Sequence, residues 1–536
     1  MAADLTPAQC VLLTVHFASN SDIKSLHSFT PSRLDALDPE LVLRILLTYL
    51  PGSLDPSFYT TYISEVASRL YLDVERENID VDVSPVKEIP DEQANKKVKK
   101  LHLLPMEPPA FPSHVPEDLL TRWIIHRAHR IDSETGMLHL VPKLIEPFLE
   151  RSEYLRTWYI SVCLPMLRRN FEYYSGNDND IAIGDFEAME GSEGVDLLLA
   201  HNLKDSSAPA VKHDLARDLK GLCGPWIYGH TERKRRKLDR ENTGERNKGS
   251  QETSVDDVSY RMKKVGLNGV TSEDKTGHDW EYVYKWLVQS ASDHFDTVVA
   301  AIENWDGPGD VDLGGYHAGN RDYLEEDLQR KLELQYAQAA FAACYAVTAD
   351  TEETVKSAHD VLARLAELLD FVPPPDLATS VESLPKVERQ ATIMEHSEDV
   401  SLLEPDSLLR PKHPLTSPGL ESYMLLQMMV YSAYQFNGLG HPTSLVGVAK
   451  LRFYSTADEQ LAVLKRILRI LTGPNVPSRR DEAQWNADQA RLLWLWNWGI
   501  DADDQTAKTG AGVLGKIDRE DFEEEMLKVF VDTSCK

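Results

Sequence analysis

One stripe of apolar residues does most to limit what this chain can fold into. Trp280, Val283, Tyr284, Leu287, Val288, Ala291, Phe295, Val298, Val299, Ile302 and Trp305 recur at spacings of three and four. At that spacing all of them fall on one side of a helix. The pattern predicts a single helix that ends at Gly307-Pro308-Gly309. A helix with one apolar stripe must bury it against a neighbour. The neighbours are present in the same sequence. Thr6-Pro7-Ala8-Gln9 carries a cap, a first-turn proline and the glutamine of a capping box. Asp38-Pro39 repeats the start signal before Leu41–Leu50, and Pro51-Gly52 stops that run. Asp55-Pro56 opens another helix with Phe58, Tyr59, Tyr62, Ile63, Val66 and Leu70.

Helical spacing resumes at Glu117 and continues with breaks to about Tyr174. It returns from Asp322 to Val347, after the cap Asp350-Thr351-Glu352-Glu353, and in Leu420–Phe436, Pro442–Tyr454, Arg479–Trp498 and Phe522–Val531. Thr456-Ala457-Asp458-Glu459 is a second capping box, for a helix ending at Gly473-Pro474. The one alternating run, Ile79-Asp80-Val81-Asp82-Val83, has no second strand to pair with and reads as loop. The prediction is an all-α chain: an irregular α-solenoid of antiparallel helix pairs with long disordered insertions and no fixed repeat period. Its layers fall at 1–72, 117–174, 279–371 and 419–536. Between them lie a charged, proline-rich loop (73–116), a largely disordered insertion (175–278) and a second loop (372–418). Two islands, Phe186–Leu203 and Gly221–Tyr228, interrupt the insertion.

Composition narrows the function. With 57 Lys and Arg against 86 Asp and Glu, the net charge is −29. A general nucleic-acid binder needs the opposite field, and adsorption to anionic lipid through the whole surface is excluded on the same ground. Cys10, Cys163, Cys223, Cys344 and Cys535 make no CxxC pair, so a zinc ribbon and a thioredoxin motif are absent and a reducing compartment is expected. The N-terminus does not read as a signal peptide: Asp4 stands where positive charge is expected, and the apolar run Cys10–Val15 stops at His16. The longest apolar run, Tyr423 to Phe436, is interrupted by Gln427, Ser432 and Gln435, too short to span a bilayer. A soluble protein that reaches membranes through partners is expected.

Four features could carry chemistry. Gly510-Ala511-Gly512-Val513-Leu514-Gly515-Lys516-Ile517 matches the phosphate-cradling loop except that Ile517 replaces the magnesium-holding Ser or Thr. The polar stretch Asp501-Ala502-Asp503-Asp504-Gln505 precedes it where a buried strand belongs, so it reads as a loop between helices. Arg233, Lys234, Arg235, Arg236 and Lys237 form a basic cluster, read as solvated loop, with an import signal or anionic-lipid contact as the alternative. His126 and His129 share a helix face, but Arg127 and Arg130 flank them and no ligand completes a site. Trp485, Trp494, Trp496 and Trp498 are read as core with a further face toward a neighbour or a partner, since steps of two turn by about 200°. No nucleophile–base arrangement is found. The chain is therefore read as no enzyme, and no catalytic, cofactor-binding or metal residue is assigned.

Several stretches resemble the filamentous-fungal form of the secretory-pathway Sec39 family. They are Val11–Ser19 through Leu43–Pro51, Gly221-Leu222-Cys223-Gly224-Pro225-Trp226-Ile227-Tyr228-Gly229, Trp496-Asn497-Trp498-Gly499-Ile500, and Gly512–Ile517. The resemblance implies an α-solenoid scaffold of a Dsl-type tethering complex on the cytoplasmic face of the endoplasmic reticulum. Such a complex captures vesicles returning from the Golgi and binds SNARE proteins. The implied partners are the other tether subunits and the SNAREs, with no nucleic acid, no cofactor and membrane association only through partners. Family members usually continue beyond Cys535-Lys536, so truncation at the C-terminus is expected. The rival readings are an acidic solenoid adaptor of nuclear-transport type and a nucleotide hydrolase using Gly510–Lys516.

Overall fold

The computed structural model describes residues 5–71, 81–106, 118–174, 181–203, 214–229, 278–316, 324–385, 400–473, 482–500 and 508–534. Among them the regular elements are all helices, and no strand forms. The chain is all-α, as its patterning predicts. It divides into two compact units. The first comprises Met1–Glu190, Gly221–Thr276 and Asp312–Arg321, the second Gly191–Lys220, Gly277–Val311 and Asp322–Lys536.

In the first unit, α1 (Pro7–Ser19) starts with the capping box read from Thr6 and Gln9. Asp38 caps α2 (Pro39–Tyr49). The helix expected to begin at Asp55-Pro56 starts later: Pro56–Phe58 is a 3₁₀ turn, and α3 runs Thr60–Ser68. The segment 73–116, read as loop, holds two short helices, Ser84–Lys87 and α4 (Asp91–Val98). Its polar composition hid them, because the burial comes from a few residues. Val86 and Ala94 are buried, and the Gln9 side chain reaches over to donate to the carbonyls of Val86 and Ile89 at 3.4 and 2.9 Å. α4 thereby lies on α1. Val81–Val83 form no strand, and Ile79 and Asp80 lie outside the described residues.

Next, α5 (Leu119–Thr135) packs on both α2 and α3. It closes the C-terminal end of α2, whose last carbonyls lack helical partners. Arg130 donates to Leu47 O, and Arg127 to Leu50 O and Pro51 O just past the helix at 2.7 and 2.6 Å, while Trp123 Nε1 donates to Leu43 O in the body of α2 at 2.7 Å. Arg127 is fully buried and its guanidinium also lies over the Tyr59 ring. The helical stretch Glu153–Tyr173 contains two π turns, Tyr159–Cys163 and Arg168–Tyr173, around Pro165, which has no N–H to donate. Gly229 sits against this stretch where a Cβ would come within 1.9 Å of Ser161 Cβ, so only glycine allows the approach.

The second unit corrects the reading of the longest stripe. The residues from Trp280 to Trp305 form two helices, α6 (His278–Ser290) and α7 (Phe295–Asn304). The break falls in Ala291-Ser292-Asp293-His294, where Asp293 N and His294 N turn back to Ser290 O. Apolar spacing stays in phase across the turn, so periodicity alone could not show it. Trp280 and Trp305 still meet, with ring centroids 5.6 Å apart, and Tyr336 donates to Trp305 O at 3.0 Å. α8 (Glu326–Ala346) and α9 (Glu352–Leu369) follow, the latter capped by Thr351 as expected. Then come α10 (Leu420–Gly438), α11 (Leu445–Phe453), α12 (Ala457–Thr472), α13 (Glu482–Asn497) and α14 (Arg519–Ser534). Helix packs on helix in solenoid-like order within this unit: α6 on α8, α7 on α9, α9 on α10, α8 and α10 on α11. The Tyr423–Phe436 run is buried inside α10, which explains its apolar length.

Of the two insertions, the described parts of 175–278 are the helices Ile183–Ala188 and Ser192–Leu199 and the helical stretch beginning at Asp214. Arg233–Lys237 lies outside the described residues. The described parts of the 372–418 loop hold only short turns and the helix Pro405–Leu408. Gln338, from α8, holds it by donating to Leu408 O and Arg410 O at 3.2 and 2.9 Å.

Candidate functional site

The glycine–lysine loop is the feature most able to carry chemistry, and its surroundings decide what it does. Thr456 and Glu459 form the predicted capping box and set α12 beside the end of α11. Gln460, one residue on, is fully buried; it donates to Leu451 O at 2.8 Å and accepts from Lys516 N at 2.9 Å. The Lys516 ammonium donates to Phe453 O and Ser455 O at 2.9 and 2.6 Å, so it caps the C-terminal end of α11. Burial and then the nearby Arg452 charge lower its pKa. Arg452 Nε in turn donates to Ala511 O at 3.1 Å.

The loop backbone faces inward as well. Gly512 N donates to Trp496 O at 2.8 Å and Leu514 N to Leu495 O at 3.0 Å, which satisfies the last carbonyls of α13. Gly510 N bonds Gly515 O at 2.8 Å and Gly515 N bonds Gly512 O at 3.0 Å. A Cβ on Gly512 would stand 2.2 Å from Leu495 O, and one on Gly510 2.1 Å from Trp496 O. Glycine is required for the loop to lie against the helix end. Val513, Leu514 and Ile517 are buried beneath it.

A phosphate-binding loop must aim free N–H groups into one hollow and leave its lysine free to reach the anion. Here those groups are donated to carbonyls of the protein itself. The reading of Gly510–Lys516 as a loop between helices holds and the rival hydrolase reading does not: the loop is a clasp that joins α11, α12 and α13. Ile517 occupies the Ser/Thr position because that side chain fills the core rather than holding magnesium.

The tryptophans belong to the same clasp. Trp494, Trp496 and Trp498 are all buried. Trp496 donates to Ile517 O at 3.0 Å and stacks on Phe522 at 5.6 Å. Trp498 donates to Ser432 Oγ of α10 at 3.0 Å. The 200° objection to burying all three lapses at Trp498, which lies beyond the helix with φ +51°. That conformation is unusual for a bulky residue; Gly499 follows with φ +70° at the predicted helix stop. Trp485 is only half-buried.

The histidine pair is not brought to a metal site. His129 Nε2 lies 2.9 Å from Glu187 Oε2 and its ring stacks on Trp158 at 5.8 Å. Among the described residues no group of three His, Cys, Asp or Glu side chains could hold a metal ion. Arg127, noted in the sequence only as repelling a cation, instead serves the end of α2. Sequence reasoning missed Gln9, Arg127, Gln338 and Gln460 as structural donors. Their shared signal is a long polar side chain one helical turn from apolar residues on a buried face.

A family model described as secretory pathway protein Sec39 matches residues 11–535. No curated protein matches the chain.

Proposed function

The chain belongs to the Sec39 family of secretory-pathway proteins, and from that premise we propose that it is a non-catalytic scaffold subunit of a Dsl-type tethering complex. In this role it acts in retrograde Golgi-to-endoplasmic-reticulum transport and supports SNARE assembly. The observation that carries the reading is the extent of the family match, which takes in both units. Two structural features support it. The units are built from stacked helices whose ends are tied by side chains of neighbouring helices, which suits a protein that presents fixed surfaces. The strongest enzyme-like motif is consumed in that same tying.

The partners are the other tether subunits and the endoplasmic-reticulum SNARE proteins, and the site of action is the cytoplasmic face of that membrane. No described helix is long and apolar enough to cross a bilayer, and association through partners fits that finding. The work done is geometric: binding partners at separate surfaces raises their effective concentration for one another. The test mixes the purified chain with the SNARE cytosolic segments and the remaining tether subunits. Co-elution as one species is expected. Failure to bind any of them, together with normal retrieval of resident proteins after depletion of this chain, overturns the proposal.

A further inference from the structure

Four lysines crowd the end of α4 in a chain whose net charge is −29. Ala94 is buried and Val98 and Leu101 are half-buried, so this side of the helix faces the protein, while Lys96, Lys97, Lys99 and Lys100 are all exposed. No carboxylate among the described residues lies within ion-pair distance of any of the four, although Glu92 stands one turn before Lys96. Elsewhere in the same unit Lys143 is paired, with Asp55 at 2.6 Å. The segment that follows the lysines is held in place. Arg44 of α2 donates to Leu103 O and Leu104 O, both at 3.1 Å, and Leu104 N donates to Thr48 Oγ1 at 3.0 Å. With its backbone pinned, Leu104, four residues after Lys100, remains 41% exposed.

From this geometry we propose that the lysine face of α4, with Leu104 after it in the chain, docks on an anionic lipid surface. Lysine ammonium groups are compact point charges, suited to a field of headgroup phosphates rather than to forked recognition of one carboxylate. A basic helix face edged by an exposed apolar side chain is the pattern that rests in a membrane interface. The acid elsewhere on the chain does not forbid it, since charges beyond about 8 Å are largely screened at physiological ionic strength. The contact is additional to association through partners, and it does not depend on which tethering partners the chain has.

The test is flotation of the full chain with phosphatidylcholine vesicles and with vesicles that also contain phosphatidylserine. Binding only to the second, falling as salt rises, is expected. Each neutralised lysine lowers partition about fivefold, so K96Q/K97Q/K99Q/K100Q loses binding roughly several-hundredfold, while the matching arginine variant keeps it. Leu104→Ser weakens binding without changing its salt dependence. Equal binding to both vesicle types overturns the proposal. So does retention by the glutamine variant, which leaves Arg233–Lys237 intact and so would assign the contact elsewhere. Capture of polyglutamate without capture of phosphatidylserine vesicles overturns it in favour of an acidic polypeptide.

Discussion

Replacing Gly512 by alanine separates a structural clasp from a phosphate loop. The added Cβ would lie 2.2 Å from Leu495 O and 2.8 Å from the Trp496 carbonyl carbon, both backbone atoms that cannot rotate away. The loop must withdraw by about 1 Å to reach ordinary contact. That breaks or strains the bonds from Gly512 N to Trp496 O and from Leu514 N to Leu495 O. At about 1 kcal/mol each they contribute roughly 2 kcal/mol. Partial uncovering of Val513 and Leu514, both fully buried, adds about 1–2 kcal/mol. The entropy advantage of alanine over glycine in the unfolded chain offsets only about 0.5 kcal/mol. The net expectation is a loss of about 3 kcal/mol, confined to the second unit. Urea unfolding followed by tryptophan fluorescence measures the loss, and peptide-level hydrogen exchange across 482–534 locates it. Two units need not unfold together, so the local readout is the decisive one. Unchanged protection of α13 in Gly512→Ala refutes the clasp, as does protection of the wild-type loop by ATP or GTP.

Three further outcomes follow from the same contacts. Arg127→Met leaves the buried Leu50 O unpaired and frees Pro51 O, on an exposed residue, to water; it is expected to cost about 2 kcal/mol, read as raised hydrogen exchange at the end of α2. Thr456→Ala removes the cap of α12 and costs about 1 kcal/mol by urea unfolding, whereas Thr456→Ser is close to neutral. Burial raises the phenols of Tyr423 and Tyr431 to about 12, and these hydroxyls donate to Val372 O and Pro375 O. A phenol with a raised folded pKa contributes stability in full below its unfolded value of about 10, and that contribution is lost as pH rises. The double variant Tyr423→Phe/Tyr431→Phe is therefore expected to show a shallower decline of stability between about pH 10 and 12 in alkaline titration followed by circular dichroism.

What the sequence made legible was what depends on local chemistry. The caps at Thr6, Asp38, Thr351 and Thr456 and the stop at Gly499 need only a few neighbouring residues, and they appear where read. Failures came where distant residues decide. The turn after Ser290 keeps the apolar phase, so the helix break between α6 and α7 left no mark in the spacing. α4 forms in a polar segment because α1 buries Ala94 and Gln9 of α1 holds the turn before it through Val86 O and Ile89 O. The polar flank and Ile517 mark the Gly510–Lys516 motif as a loop between helices, but not what it holds: a glycine-rich turn that approaches a helix end looks the same in sequence whether it meets a phosphate or a carbonyl. Only the positions of Trp496 O and Phe453 O, from other parts of the chain, tell the two apart.

The measurement that bears most directly on the scaffold reading is co-purification of the tagged chain from its native host, with the bound proteins identified by mass spectrometry. Stoichiometric recovery of the other tether subunits together with endoplasmic-reticulum SNAREs is the predicted result. Recovery of nuclear-transport cargo in their place, or of the chain without any secretory-pathway protein, would contradict it.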